Sequence, residues 1–226
     1  MNRRSTLVFG LVALMIAVGF GSGLCADSNP EIETVLKAAE LGDANAQNSL
    51  GVRYMFGEGV PVNYQEAMKW YLKAAEQGNA RAQFSLGVMY KYGEGVPVNY
   101  QEAMRWYLKA AEQGDAVAQN NLATMYYCGE GTSVNLTEAM QWCNRAAKQG
   151  IIQAQYNLGV GFYNGDGVPV NYIASYVWLS LASAQGYEKA KNGIDNLTKK
   201  MTPEQIAEAQ KEAAVLWEKM PKENQD

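Results

Sequence analysis

The hydrophobic pattern of the chain has two periods, one nested inside the other. Within short segments apolar residues recur at helical spacing: Ala46, Leu50 and Tyr54 fall at i, i+4 and i+8, and Ala67, Trp70 and Ala74 at i, i+3 and i+7. Each set lines one face of an amphipathic helix. The two-helix pattern then returns every 36 residues, with Ala82, Leu86, Tyr90; Ala118, Leu122, Tyr126; and Ala154, Leu158, Phe162 on the first helix, and Trp106, Trp142 and Trp178 on the second. The stretch Gly57–Gly78 reappears at Gly93–Gly114 with one change in 22 positions, Lys69 to Arg105. A fixed period of this length marks stacked repeats, in which no unit can bury its apolar face alone.

Turn chemistry punctuates the pattern at the same period. Gly42, Gly78, Gly114, Gly150 and Gly186 open successive units. The first helix of each unit ends at Gly-acid-Gly, as Gly57-Glu58-Gly59, Gly93-Glu94-Gly95, Gly129-Glu130-Gly131 and Gly165-Asp166-Gly167. The leading glycine suits a left-handed C-cap, and the trailing one gives the loop room to turn. The second helix starts after Asn63, Asn99, Asn135 or Asn171, and Glu66, Glu102 and Glu138 stand at capping-box spacing, with Ala174 replacing that Glu in the fourth unit. Small residues at Ala67, Ala74 and Ala75 let helices approach, so the tryptophan stripe is expected to be core.

The ends depart from the repeat. Pro30–Leu41 is a half unit, and a fifth unit fades after Gly186, Ala190 and Ile194. Thr202-Pro203 with Gln205 then opens a last helix whose apolar stripe is Ile206, Ala213, Trp217 and Met220. The expected organisation is all-α, with stacked antiparallel helix pairs over 27–200 and a C-terminal capping helix and tail over 201–226.

Composition changes the picture at the N-terminus. Asn2-Arg3-Arg4, the apolar run Leu7–Phe20, then Gly21-Ser22-Gly23 and Ala26 give the order of a secretory signal peptide over 1–26. The run falls short of the roughly 20 residues that span a bilayer, so no stable membrane insertion is expected after cleavage. Removal of Arg3 and Arg4 moves the net charge from −4 to −6, with 17 basic residues facing 23 acidic. Without a basic cluster, nucleic acid is a poor partner.

Candidate chemistry is sparse. The chain has no histidine, which excludes imidazole catalysis and His metal sites. Cys128 and Cys143 lack C-x-x-C spacing. In an exported chain they are consistent with one disulfide, and equally with two small buried thiols. No metal or cofactor site is expected. Glu58, Glu94, Glu130 and Asp166 form a carboxylate ladder, but on separate glycine loops.

Taken together, A-x-A-Q-x-x-L-G-x-x-Y, G-x-G-V and A-x-x-W-Y-x-K-A-A-x-Q-G closely resemble the Sel-1-like repeat, a relative of the tetratricopeptide repeat, over about Glu31–Lys200. Departures are local: Asn63 and its equivalents stand where the family often has Asp, Ala123 replaces the helix glycine in the third unit, and Cys143 replaces tyrosine there. The resemblance implies a right-handed superhelical solenoid that serves as a scaffold or adaptor for protein partners. Exported members of this architecture look most like bacterial periplasmic or secreted proteins.

The resemblance also implies that the first helix of each unit faces a concave groove. Positions there vary between copies, and Phe56, Phe84, Lys91, Tyr92, Tyr127, Tyr156 and Tyr163 are candidate anchors for a protein or peptide. The competing account is that several of them pack between units. The expected function is a non-enzymatic scaffold or adaptor. The alternative is a cell-wall-ligand binder or hydrolase acting on peptidoglycan-related substrates through the loop carboxylates.

Overall fold

Local capping marks where most helices of the computed structural model begin. The structure describes residues 30–221. The expected signal peptide lies outside the described residues. Those residues form α1 (Pro30–Glu40), α2 (Ala44–Phe56), α3 (Tyr64–Glu76), α4 (Ala80–Tyr92), α5 (Tyr100–Glu112), α6 (Ala116–Cys128), α7 (Leu136–Lys148), α8 (Ile152–Asn164), α9 (Tyr172–Ala184), α10 (Glu188–Leu197) and α11 (Pro203–Glu218), with no strand among them. The pairs α2/α3, α4/α5, α6/α7 and α8/α9 stack in order, each second helix also packing on the first helix of the next unit. The chain is a helical solenoid.

The side chains of Asn63, Asn99, Asn135 and Asn171 each accept from the backbone N–H three residues on, as expected. The reciprocal half of a capping box does not form in these units. The Asn63 N–H already donates to the Tyr54 carbonyl at 2.8 Å, and Asn99 to Tyr90 likewise. Glu66 and Glu102 are therefore left to pair with Lys69 at 3.4 Å and Arg105 at 2.6 Å. At Thr202 and Gln205 the N–H is available, and the full capping box forms. The first glycine of Gly-acid-Gly is the left-handed C-cap, as at Gly57 with φ 75°. The second does more than turn: a Cβ on Gly131 would lie 2.5 Å from the Tyr100 carbonyl oxygen, so this loop rests on the start of α5 in the preceding unit.

Between the helices, three interactions recur with the repeat. Trp70, Trp106, Trp142 and Trp178 are buried, as the stripe predicts. In the first three units a cation from the same helix covers the ring: Lys73 at 4.1 Å from Trp70, Lys109 at 4.4 Å from Trp106, Arg145 at 4.3 Å from Trp142. Second, Tyr71 and Tyr107 lie so close to α2 and α4 that only glycine fits opposite them. A Cβ on Gly51 or Gly87 would meet the ring at 2.6 or 2.5 Å.

Third, a ladder of buried glutamines runs through the stack. Gln83 donates to the Ala75 carbonyl at 3.1 Å, at the end of the preceding second helix, and its side-chain oxygen accepts from Gln113 at 2.7 Å. The same pair of bonds is made by Gln47 with Ala39 and Gln77, by Gln119 with Ala111 and Gln149, and by Gln155 with Ala147 and Gln185. Each glutamine thus adds a second donor to a carbonyl of the last helical turn, which also accepts from the glycine N–H three residues on, and ties three helices together.

The C-terminal helix α11 seats on α9, not on α10. That explains why α9 carries no charge. Val177 and Leu181 occupy the places of Lys69 and Lys73, and both are buried.

The Gly87–Tyr107 contact gives a direct test. Gly87→Ala gains about 1 kcal/mol of helix propensity, but overpacking against a fully buried ring costs about 1–3 kcal/mol. The variant is expected to be less stable than the parent in urea unfolding. The matching Ala123→Gly, which faces the small Cys143, should lose only the propensity term. A Gly87→Ala protein more stable than the parent would contradict the contact's role.

Candidate binding face

The seven candidate anchors divide by what the fold does with them. Phe56, Tyr92 and Tyr127 project into solvent, with 69%, 65% and 52% of their surface exposed. They come from the last turns of α2, α4 and α6. The other four are engaged within the stack. Phe84 packs on Tyr107 with ring centres 5.7 Å apart, Tyr156 on Tyr187 at 4.9 Å, and Tyr163 on Tyr172 at 5.9 Å with the Lys200 ammonium 4.4 Å from its ring. Lys91 is largely buried, its ammonium paired with Glu130 at 2.9 Å and 5.9 Å from the Tyr92 ring. That pair also takes Glu130 out of the carboxylate ladder. Among the described residues, no three His, Cys, Asp or Glu side chains gather where they could hold a metal ion.

Both described thiols are free. Cys128 is exposed at the end of α6, while Cys143 is buried and its Sγ donates to the Ala154 carbonyl at 3.1 Å. One thiol faces water and the other faces α8, so the Cys128–Cys143 bridge considered from sequence is not made.

Beside Cys143 the stack opens into a cavity of about 210 Å³ between α6, α7 and α8. Its lining includes Ala123, Tyr127, Met140, Cys143, Tyr156 and Asp166. Only Tyr127 and Tyr156 were among the expected anchors. The signal for the rest lay in the third unit's two departures, Ala123 for glycine and Cys143 for tyrosine. They face each other across the helix pair, which sequence alone does not show. The structural glutamines were equally visible as letters in A-x-A-Q and x-Q-G, but their role needs the partner carbonyl to be located.

This architecture defines a tetratricopeptide-like helical solenoid. The Sel1 repeat family profile matches residues 44–79, 80–115, 116–151 and 152–187, and the chain belongs to the Sel1 repeat family. Among solved structures it is similar to a Sel1 repeat protein from Oxalobacter formigenes, with 34% identity and a TM-score of 0.67 over 74% of each chain. It is also similar to c5321, described as a protective antigen present in uropathogenic Escherichia coli strains and displaying an SLR fold. There the identity is 29% and the TM-score 0.55, covering 86% of this chain and 50% of that one. No protein of curated function matches the chain.

Burial also sets how this face responds to alkali. It pushes the Cys143 thiol from an ordinary 9.0 up to about 12 and, partly offset by a hydrogen bond with Ser85, the Tyr71 phenol from 10.0 up to about 12. Burial raises Tyr107 further still, with Tyr92 and the Glu130 carboxylate adding to it. All three groups stay protonated in the fold while the unfolded chain releases its protons at lower pH. Stability is therefore expected to be flat with respect to these groups below about pH 9 and to fall as pH rises above it. Urea midpoints measured from pH 8 to 11 check this, and Cys143→Ala should remove the earliest part of the decline. Midpoints that hold level to pH 11 would contradict it.

Proposed function

We propose that this chain is a non-enzymatic interaction module of the bacterial periplasm or secreted fraction, binding a protein or peptide on the face formed by its first helices. Sel1 repeat proteins are generally protein–protein interaction scaffolds. The observation that carries the reading is the pair Phe56 and Tyr92, 36 residues apart, joined by Tyr127, one position before the place that Cys128 holds in the third unit. Large aromatic side chains there lie open to solvent at the ends of three successive helices, each more exposed than Tyr64 and Tyr100, the next most open rings at 41%. Exposed rings of this kind supply apolar contact area at low conformational cost, as anchors do. The basic, apolar and small-residue order of residues 1–26 supports export. Phe84, Lys91, Tyr156 and Tyr163 then act behind the face, holding the helices that present it.

The test uses the chain from Asp27 onward as bait in periplasmic extract and in spent medium. A specific protein partner is expected. The triple variant Phe56→Ala, Tyr92→Ala, Tyr127→Ala should weaken its binding by about 30-fold or more, the loss that one anchor of about 2 kcal/mol produces. Partners captured equally by the triple variant, or no specific partner from either fraction, would count against the reading.

A further inference from the structure

The repeat itself shows what the cavity in the third unit is shaped for. Tyr71, Tyr107, Cys143 and Leu179 occupy equivalent positions, 36 residues apart. In the second unit the Tyr107 ring fills the space between α4 and α6, against Gly87, and its hydroxyl is buried near Asn121 and the Glu130 carboxylate without a hydrogen bond to either. In the first unit Tyr71 fills the same space, its hydroxyl facing Ser85 and the Glu94 carboxylate. In the third unit Cys143 ends short of it. Yet Asn157 and Asp166, the equivalents of Asn121 and Glu130, still line the cavity. The polar end of a tyrosine slot is retained where the tyrosine is missing.

Two further changes open this slot to solvent. In the second unit the Lys91–Glu130 ion pair runs from α4 to the loop after α6, beside the Tyr107 hydroxyl. In the third unit Tyr127 stands in place of Lys91 and the shorter Asp166 in place of Glu130, so no such pair forms. Asp166 instead accepts from Asn164 at 3.2 Å, and Tyr127 sits half-exposed at the mouth. The remaining wall is apolar, from Ala123, Met140 and Val160. Its volume of about 210 Å³ exceeds the roughly 150 Å³ of an apolar protein cavity that admits benzene.

We propose that this cavity is a binding site for a small monocyclic phenol, whose ring takes the place of the missing tyrosine ring. The ligand's alkyl end lies against Cys143 and its hydroxyl reaches Asn157 and Asp166 at the mouth, the direction in which Tyr107 points. A tyrosine residue of a partner would enter the other way round, hydroxyl first toward Cys143 and Met140, which offers its hydroxyl little. The geometry therefore favours a free phenol over a tyrosyl side chain. This site does not depend on the protein-binding reading of the outer face.

The probe is p-cresol, the side chain of tyrosine as a free molecule, titrated into the full chain from Asp27 and followed by two-dimensional NMR and by thermal unfolding. Saturable shifts at Ala123, Tyr127, Val160 and Gly161 are expected, with a dissociation constant of about 1 mM or tighter. Toluene, which cannot use the polar end, should bind at least about 5-fold more weakly, and N-acetyl-tyrosinamide more weakly than p-cresol. The slot can also be refilled from within. Ala123→Gly with Cys143→Tyr rebuilds the Gly87–Tyr107 pair, and Ala123→Gly with Cys143→Leu rebuilds the Gly159–Leu179 pair of the fourth unit. Each folded refilled variant should lose p-cresol affinity at least 10-fold, and having both keeps the test sound if one fails to fold. No saturable binding to the parent chain, equal affinity for toluene, or a folded refilled variant that binds within twofold of the parent would each overturn the assignment. Tighter binding of N-acetyl-tyrosinamide than of p-cresol would overturn the free-phenol pose.

Discussion

The stack depends on a buried hydrogen-bond relay built from glutamine. Gln47, Gln83, Gln119 and Gln155 are almost fully enclosed, and a primary amide is the neutral side chain that both donates and accepts along one line. Its amide reaches back to the last turn of the preceding second helix, while its oxygen receives the glutamine that ends its own unit's second helix. Apolar contacts alone would tolerate sliding between such similar helices. A buried amide does not, because a shift of one residue leaves two polar groups unpaired at about 1–3 kcal/mol each. The relay therefore sets register, and the register brings Tyr71 opposite Gly51 and Tyr107 opposite Gly87.

Once register is fixed, local substitutions acquire meaning by position. Val177 and Leu181 replace the lysines of earlier units because α11 covers that side of α9, where charges would be buried without partners. Ala123 is permitted because Cys143 is small, whereas alanine at Gly87 would meet the Tyr107 ring. The same frame turns the third unit from a slightly irregular repeat into one whose tyrosine slot stays open. An exchange that looks like drift in one dimension is a cavity in three.

Much of the scaffold was legible in the sequence, and for a physical reason. Period, amphipathic stripes and caps are local properties: Asp43, Asn63, Asn79, Asn99, Asp115, Asn135 and Asn171 each cap the helix they precede, and α8 alone of this run starts, after Ile151, without such a bond. The reciprocal capping box that the spacing predicts at Asn63 and Asn99 does not form, because a non-local carbonyl, Tyr54 or Tyr90, takes the backbone donor. The binding face was legible only as a set of variable positions. Whether Tyr92 is exposed and Tyr156 engaged depends on the neighbour, Tyr187, that packing supplies. The glutamines are hidden for the opposite reason: a polar letter in a repeated motif reads as surface until its partners are located.

The central claim, that the glutamine relay fixes the stack, is tested most directly by an exchange that keeps the side chain's shape and replaces its amide donor with a charged acceptor. Gln119→Glu keeps the shape and the acceptor for Gln149, but an ionised carboxylate cannot donate to the Ala111 carbonyl. Equilibrium urea unfolding at pH 7 should show a loss of about 2–3 kcal/mol. The same exchange at the exposed Gln101 should stay within about 0.5 kcal/mol of the parent. A Gln119→Glu protein as stable as the Gln101→Glu protein would show that apolar packing holds the units in register without the relay.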